Sequence, residues 1–257
     1  MTKKINNVNY IENGEGFPVV MIHGLGGGSD TFDSLMPALS NFKVIRPELP
    51  GSGQSVIPDQ PITIPSLADA IISLLRSLGI DRAHVVGHSL GTLVCQCIAE
   101  KEPTLVESLV LFGALTEPPE GARAGLPVRA KSARDNGMSD IADAVSTGST
   151  SKETQSTNPS AVDFVKASLN RQNPEGYALT CEGLAIAKAS DWKRIKAPTM
   201  LVTGDSDPVS PIAMAEILNE NIPTSKLIIL EGCGHWPTVE KPQECVKHLS
   251  EFLANPS

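Results

Sequence analysis

Ala83-His84-Val85-Val86-Gly87-His88-Ser89-Leu90-Gly91-Thr92 is the stretch on which the fold turns. Its first four residues form a short apolar run of the kind found in buried strands, and Thr92 to Glu100 has the pattern of a helix. Between them stands G-x-S-x-G. A strand that bends so abruptly into a helix forces the central residue into a strained backbone, so the hydroxyl of Ser89 projects outward, and the flanking glycines let neighbouring chains come close. The helix N-terminus beneath it favours developing negative charge. The pattern takes its weight from this strand-before, helix-after setting rather than from its five letters.

Working outward, the same strand signal recurs at Pro18–Ile22, Phe42–Ile45, Ser108–Phe112, Thr199–Thr203 and Lys226–Leu230. Helical periodicity fills several of the gaps. One helix opens at a capping Ser66 and runs to Leu78 before Gly79, another follows Ser89, and a last one spans roughly Cys245 to Leu253. Strands alternating with helices predict an α/β fold with a mostly parallel central sheet flanked by helices. The rhythm breaks between about Leu115 and Ser190, where Ala122–Asn136, Ile141–Val145, Ala161–Leu169 and Glu175–Lys188 look helical with no strand between them. Residues 115–190 are therefore expected to be a helical cap, or lid, over the carboxyl edge of a core made of residues 1–114 and 191–257. Within it, the Ser/Thr-rich stretch Ser146–Pro159 reads as a mobile connector or a plain solvated loop.

A serine hydroxyl is a weak nucleophile at neutral pH and needs a base within hydrogen-bond reach and a third group to orient that base. Asp207, in Thr203-Gly204-Asp205-Ser206-Asp207-Pro208, and His235, in Gly232-Cys233-Gly234-His235-Trp236-Pro237, each follow an apolar strand. The order Ser, Asp, His places the three at the carboxyl ends of different strands. Asp207 is preferred to Asp205 because it lies farther along its loop, while Asp205 holds the turn. Of the remaining histidines, His84 and His248 read as ordinary packing or surface residues, His88 as a neighbour of the serine, and His23 as a brace for the loop His23-Gly24-Leu25-Gly26-Gly27-Gly28. In that loop the backbone N–H of Leu25, with that of Leu90, is placed to hold a tetrahedral oxyanion. Gly24, Met138, Tyr177 and Trp236 are the candidate substrate-lining residues. For an anionic substrate, one of Arg123, Arg129, Lys131 or Arg134 should meet its carboxylate.

Composition narrows the partners. The chain has 257 residues, 40% hydrophobic and 19% charged, which suits one large globular domain. With 21 basic against 29 acidic residues the net charge is −8, and no basic run exceeds Lys3-Lys4, so nucleic acid is a poor partner. The first residues lack the apolar core of a secretory signal, and no stretch approaches the ~18 apolar residues that span a bilayer; a soluble, cytoplasmic protein without a membrane partner is expected. The five cysteines are scattered without a C-x-x-C pair. Glycine fails at Ser29 and Val56 for a G-x-G-x-x-G phosphate loop, no P-loop occurs, and no H-E-x-x-H or carboxylate cluster offers metal ligands, so neither cofactor nor metal is implied. Nothing in the sequence sets an oligomeric state.

Taken together, His23-Gly24-Leu25-Gly26, Glu48-Leu49-Pro50-Gly51-Ser52-Gly53-Gln54-Ser55, Gly87-His88-Ser89-Leu90-Gly91, Gly204-Asp205-Ser206-Asp207 and Gly234-His235-Trp236 resemble the motifs of the α/β-hydrolase fold family, in that family's order. The phrases Ala133-Arg134-Asp135-Asn136-Gly137-Met138 and Asn173-Pro174-Glu175-Gly176-Tyr177-Ala178 are similar to those of 3-oxoadipate enol-lactonases and related carboxylesterases. The resemblance implies a serine hydrolase acting on a small-molecule ester or lactone through an acyl-enzyme. A serine rather than an aspartate nucleophile speaks against the dehalogenase and epoxide hydrolase branches. Carbon–carbon bond hydrolysis, cofactor-free perhydrolysis and a low-turnover ligand receptor remain open on the same residues.

Overall fold

The computed structural model describes residues 2–256. Its chain runs through β1 (Thr2–Ile5), β2 (Val8–Asn13), β3 (Phe17–Ile22), a 3₁₀ segment at Ser29–Leu39, β4 (Phe42–Pro47), α1 (Ile64–Ser77), β5 (Ala83–His88), α2 (Leu90–Lys101) and β6 (Val106–Phe112). Five helices follow without a strand: α3 (Glu120–Asn136), α4 (Ser139–Ser149), α5 (Lys152–Thr157), α6 (Pro159–Asn170) and α7 (Pro174–Ala185). The alternation then resumes with β7 (Thr199–Gly204), α8 (Ile212–Asn221), β8 (Ser225–Leu230), α9 (Pro237–Glu240) and α10 (Pro242–Ala254).

The eight strands form one sheet in the order β1-β2-β4-β3-β5-β6-β7-β8, parallel from β4 to β8 with β1 and β2 antiparallel at one edge. This is the α/β fold with flanking helices that the alternation predicts. Successive residues of a strand face opposite sides of the sheet, so Val20 and Ile22 join one core with α1 and α2, while Val19 and Met21 join another with Phe32, Leu35 and Leu39 of the 3₁₀ segment and Leu249 of α10. Both faces are covered, as parallel strands require. The chain leaves β3 toward β4 and then returns past β3 to β5. That reversal opens a crevice outside the carboxyl ends of β3 and β5, where ligands of open α/β sheets bind.

Three local readings change. The edge hairpin β1–β2 was not among the expected strands; it turns at Asn6 and Asn7, whose positive φ of 50° and 67° is the left-handed backbone that asparagine tolerates. Helix α1 is capped by Thr63, not Ser66. Thr63 Oγ1 accepts from Ser66 N at 3.2 Å and Ser66 Oγ accepts from Thr63 N at 2.8 Å, a reciprocal box that places Ser66 one turn inside. Finally, Ser146–Pro159 is not a connector or solvated loop. It comprises the end of α4 and all of α5, and Ser149, Ser151 and Thr154 within it are hydrogen-bonded to residues between Gly232 and Glu240. No helix among the described residues is long and apolar enough to cross a membrane.

Candidate active site

Ser89 sits in the joint between β5 and α2 with φ 53° and ψ −122°. Asn6 and Asn7 aside, it is the one non-glycine among the described residues with positive φ, a conformation costing on the order of 1–3 kcal/mol. Neighbouring groups hold it there. Ser89 N donates to Phe112 O at 3.0 Å, and Ser89 O accepts from both Thr92 N at 2.8 Å and Thr92 Oγ1 at 2.6 Å. The tight packing depends on absent side chains: a Cβ on Gly91 would lie 2.1 Å from Ile22 O, and one on Gly24 would lie 2.7 Å from the Cβ of Ser89. Gly24 thus brings the loop after β3 directly against the serine.

The loops after β7 and β8 supply the partners. His235 Nε2 is 2.7 Å from Ser89 Oγ, and His235 Nδ1 is 2.8 Å from Asp207 Oδ2. Asp207 is buried and also accepts from Val209 N at 2.7 Å, Ser210 N at 2.9 Å and Ser210 Oγ at 2.6 Å. Burial alone would raise the pKa of its carboxyl, but the His235 charge and these donors outweigh that and hold it below the usual value. Asp207 is therefore an anion facing an imidazole, which fixes Nδ1–H toward the carboxylate and leaves Nε2 free to accept from the serine hydroxyl. Asp205 turns away: it is exposed, and its carboxylate accepts from Ser206 Oγ and the backbone at Gly232 and Cys233.

Of the two residues whose N–H groups the sequence singles out, Leu90 follows Ser89 directly in the chain and Leu25 lines the same cavity as Ser89. Leu90 is the first residue of α2, whose amide has no acceptor one turn back, and Leu25 lies in the β3 loop. Neither amide donates to another group among the described residues. His23 braces that loop: its Nδ1–H donates to Gly24 O at 2.8 Å and its Nε2 accepts from Leu49 N at 3.0 Å. His88 is fully buried and donates from Nε2 to His235 O at 2.7 Å, leaving Nδ1 without a partner. Burial, and then the adjacent His235, push its pKa down to about 3, so it is a neutral strut.

Sequence reading missed the groups that fasten the His235 loop. Buried Glu240 accepts from Gly234 N at 3.0 Å and Trp236 N at 2.9 Å, and across the fold from Ser151 N at 2.9 Å and Thr154 Oγ1 at 2.8 Å. His235 N donates to Ser149 O at 2.8 Å, and Trp236 Nε1 to Ser149 Oγ at 2.9 Å. The α4–α5 junction is thus part of the mount for His235. The available signals were slight: Ser210 stands three residues after Asp207, a common spacing for a side chain that closes a turn, and Glu240 offers only an acid after Trp236-Pro237.

Ser89 and His235 open into a cavity of about 380 Å³ walled by Leu25, Leu115, Leu126, Tyr177, Leu184 and Trp236, among others. Tyr177 and Trp236 line it. Met138 does not; it is buried in the core at the start of α4. Gly24 backs the serine without lining the cavity. Among the described residues no group of three or more His, Cys, Asp or Glu side chains is arranged to hold a metal ion, and all five cysteines are buried and unbridged.

The chain is 32% identical over 203 residues to 3-oxoadipate enol-lactonase 2 of Acinetobacter baylyi, covering 79% of this chain and 75% of that one. It is 29% identical to a pimeloyl-[acyl-carrier protein] methyl ester esterase of Aromatoleum aromaticum, covering 91% and 97%. Among solved structures, a thermophilic esterase from Thermogutta terrifontis superposes with a TM-score of 0.91 at 25% identity, covering 96% and 93%. The family profile described as alpha/beta hydrolase fold matches residues 18–242, from the first parallel strand into the last helix. With sheet order, crevice and sequence in agreement over that span, the chain belongs to the α/β-hydrolase fold family.

Proposed function

We propose that the protein is a serine hydrolase that cleaves a carboxylic ester or lactone through an acyl-enzyme intermediate, with Ser89 as nucleophile, His235 as general base and acid, and Asp207 as the group that orients and charges the histidine. The observation that carries this is the unbroken chain of hydrogen bonds from Ser89 Oγ through His235 to Asp207, 2.7 Å and 2.8 Å long, opening on a mostly apolar cavity. As Ser89 Oγ attacks the carbonyl carbon, His235 Nε2 takes its proton, and the oxygen that becomes negative is received by the N–H groups of Leu25 and Leu90. His235 then returns the proton to the departing alkoxide. In a lactone that alcohol stays tethered to the acyl group. Water, deprotonated by the same nitrogen, attacks the acyl-serine, and collapse releases the carboxylic acid and restores Ser89.

Residues 115–190 are taken as the cap of this site, since the helices between β6 and β7 furnish Tyr177, Leu126 and Leu184 of the cavity wall. The relatives named as an enol-lactonase and an esterase support the reaction class. The test is steady-state turnover of a p-nitrophenyl ester series and of an enol-lactone, with S89A as the blank. Sustained turnover that falls by about 10⁴-fold or more in S89A is the expected result, removal of a serine nucleophile being able to cost about 10⁶-fold. Equal rates in both proteins, or cleavage of a vinylogous diketone with no ester or lactone turnover, would overturn the assignment.

A further inference from the structure

The cavity beside Ser89 contains a single permanent charge. Of the Lys, Arg, Asp and Glu residues, only Arg129 is among those lining it. Of the eight arginines in the chain, seven form ion pairs, and Arg129 forms none among the described residues. The contrast is sharpest on α3 itself. Arg123 donates to Ala185 O and Ala187 O, both at 2.7 Å, and pairs with Glu117; Arg134 grips Glu175 and Glu182; Lys131 pairs with Asp135. These cations fasten α3 to its surroundings or to its own carboxylates. Arg129, on the stripe Gly121, Ala122, Gly125, Leu126, Arg129 that walls the cavity, has no such duty.

Its surroundings are those of an anion anchor. The side chains it acts on are the Tyr177 hydroxyl and the Cys181 thiol, both of which burial keeps protonated and neutral. The nearby acid, Asp140, borders an adjoining outer recess that Arg129 also lines, and not the cavity of Ser89. Arg129 is exposed at the rim of a mostly apolar wall, where its guanidinium presents a fork of donors matched to a carboxylate and is free to meet one. We infer that Arg129 receives a free carboxylate on the substrate, remote from the bond that is cut, so that the preferred substrate is an anionic half-ester or a lactone bearing an acid. The inference rests on the hydrolase reading of Ser89.

The monomethyl esters of the linear dicarboxylic acids from succinic to suberic, each set against its dimethyl ester, provide the test. The readout is the ratio of kcat/KM for half-ester over diester, corrected for the two equivalent groups of the latter. At one chain length or more this ratio is expected to fall by about 10- to 100-fold in R129M, the range a charge-assisted hydrogen bond spans, and to fall less in R129K. Thermal melting checks that the variants are folded. A ratio unchanged in R129M at every length, with esters still cleaved, overturns the inference and leaves the hydrolase standing. Calorimetric titration of the same pairs into S89A decides the matter without turnover. Tighter binding of the half-ester that disappears in S89A/R129M supports Arg129 even where hydrolysis is absent. Equal affinity for both members, or binding of neither, counts against it.

Discussion

Asp207 accepts four hydrogen bonds, three from its own loop and one from His235. That saturation keeps it an anion, and in the proposed reaction its task is to hold a single imidazole tautomer. Replacing it with asparagine keeps the shape, yet lets Nδ1 accept from the amide, which puts the proton on Nε2 and faces it to Ser89. For D207N we expect kcat at neutral pH to drop by about 10³- to 10⁴-fold with KM little changed. Wild-type turnover in D207N would remove Asp207 from the mechanism. S210A takes away one donor to the carboxylate and should lower kcat by about tenfold, as for a hydrogen bond to a charged group. At this scale Ser89, Asp207 and His235 were legible because each follows a strand signal, and strand ends of a parallel sheet converge. Thr92, Ser210 and Glu240 were not, since their partners are set by side-chain contacts that arise only in the folded chain.

The elements that carry these residues are coupled. Glu240, at the end of α9, joins the loop of His235 to the N-terminus of α5 through four donors and has no hydrogen to offer any of them. In E240Q one amide hydrogen must face another donor in a dry pocket. The variant is expected to lose about 2–4 kcal/mol of stability, measured by urea unfolding, and to show reduced kcat as the His235 loop loosens. An unchanged unfolding midpoint would show that this link contributes nothing. The same link explains why Ser146–Pro159 was misread. A six-residue helix such as α5 has no room for an apolar stripe, and Ser151 and Thr154, which look like solvated loop, are satisfied by Gly232 and Glu240, more than seventy residues ahead in the chain. The β1–β2 hairpin escaped for a different reason: Thr2–Ile5 is a polar edge strand whose exposed residues give no core signal, and only Asn6-Asn7 marks its turn.

For the molecule as a whole, buried neutral histidines set an acid limit. Burial lowers the pKa of His23, His84 and His88, the last to about 3 from an ordinary 6.5. Below about pH 6.5 the unfolded chain takes up protons there that the folded chain refuses, so stability is full above that value and declines as pH falls, by up to about 1.4 kcal/mol per pH unit for each excluded proton. Asp207, held low in the fold, adds a further loss once pH falls through its folded-state value, below the ordinary 3.8. Urea midpoints should therefore fall between about pH 7 and pH 5, with a shallower slope in H88Q; a flat profile would mean that these rings are protonated in the fold. A mostly parallel sheet with both faces covered could be anticipated from the spacing of apolar runs, whereas the cavity wall could not, because short helices with one or two inward residues carry no period to read. Acylation of Ser89 Oγ is the central step of the proposed reaction. Rapid acid quench during turnover of p-nitrophenyl acetate, followed by peptide mass spectrometry, should find an acetyl group on Ser89, absent in S89A. An acetyl group on another residue, with turnover intact in S89A, would contradict it.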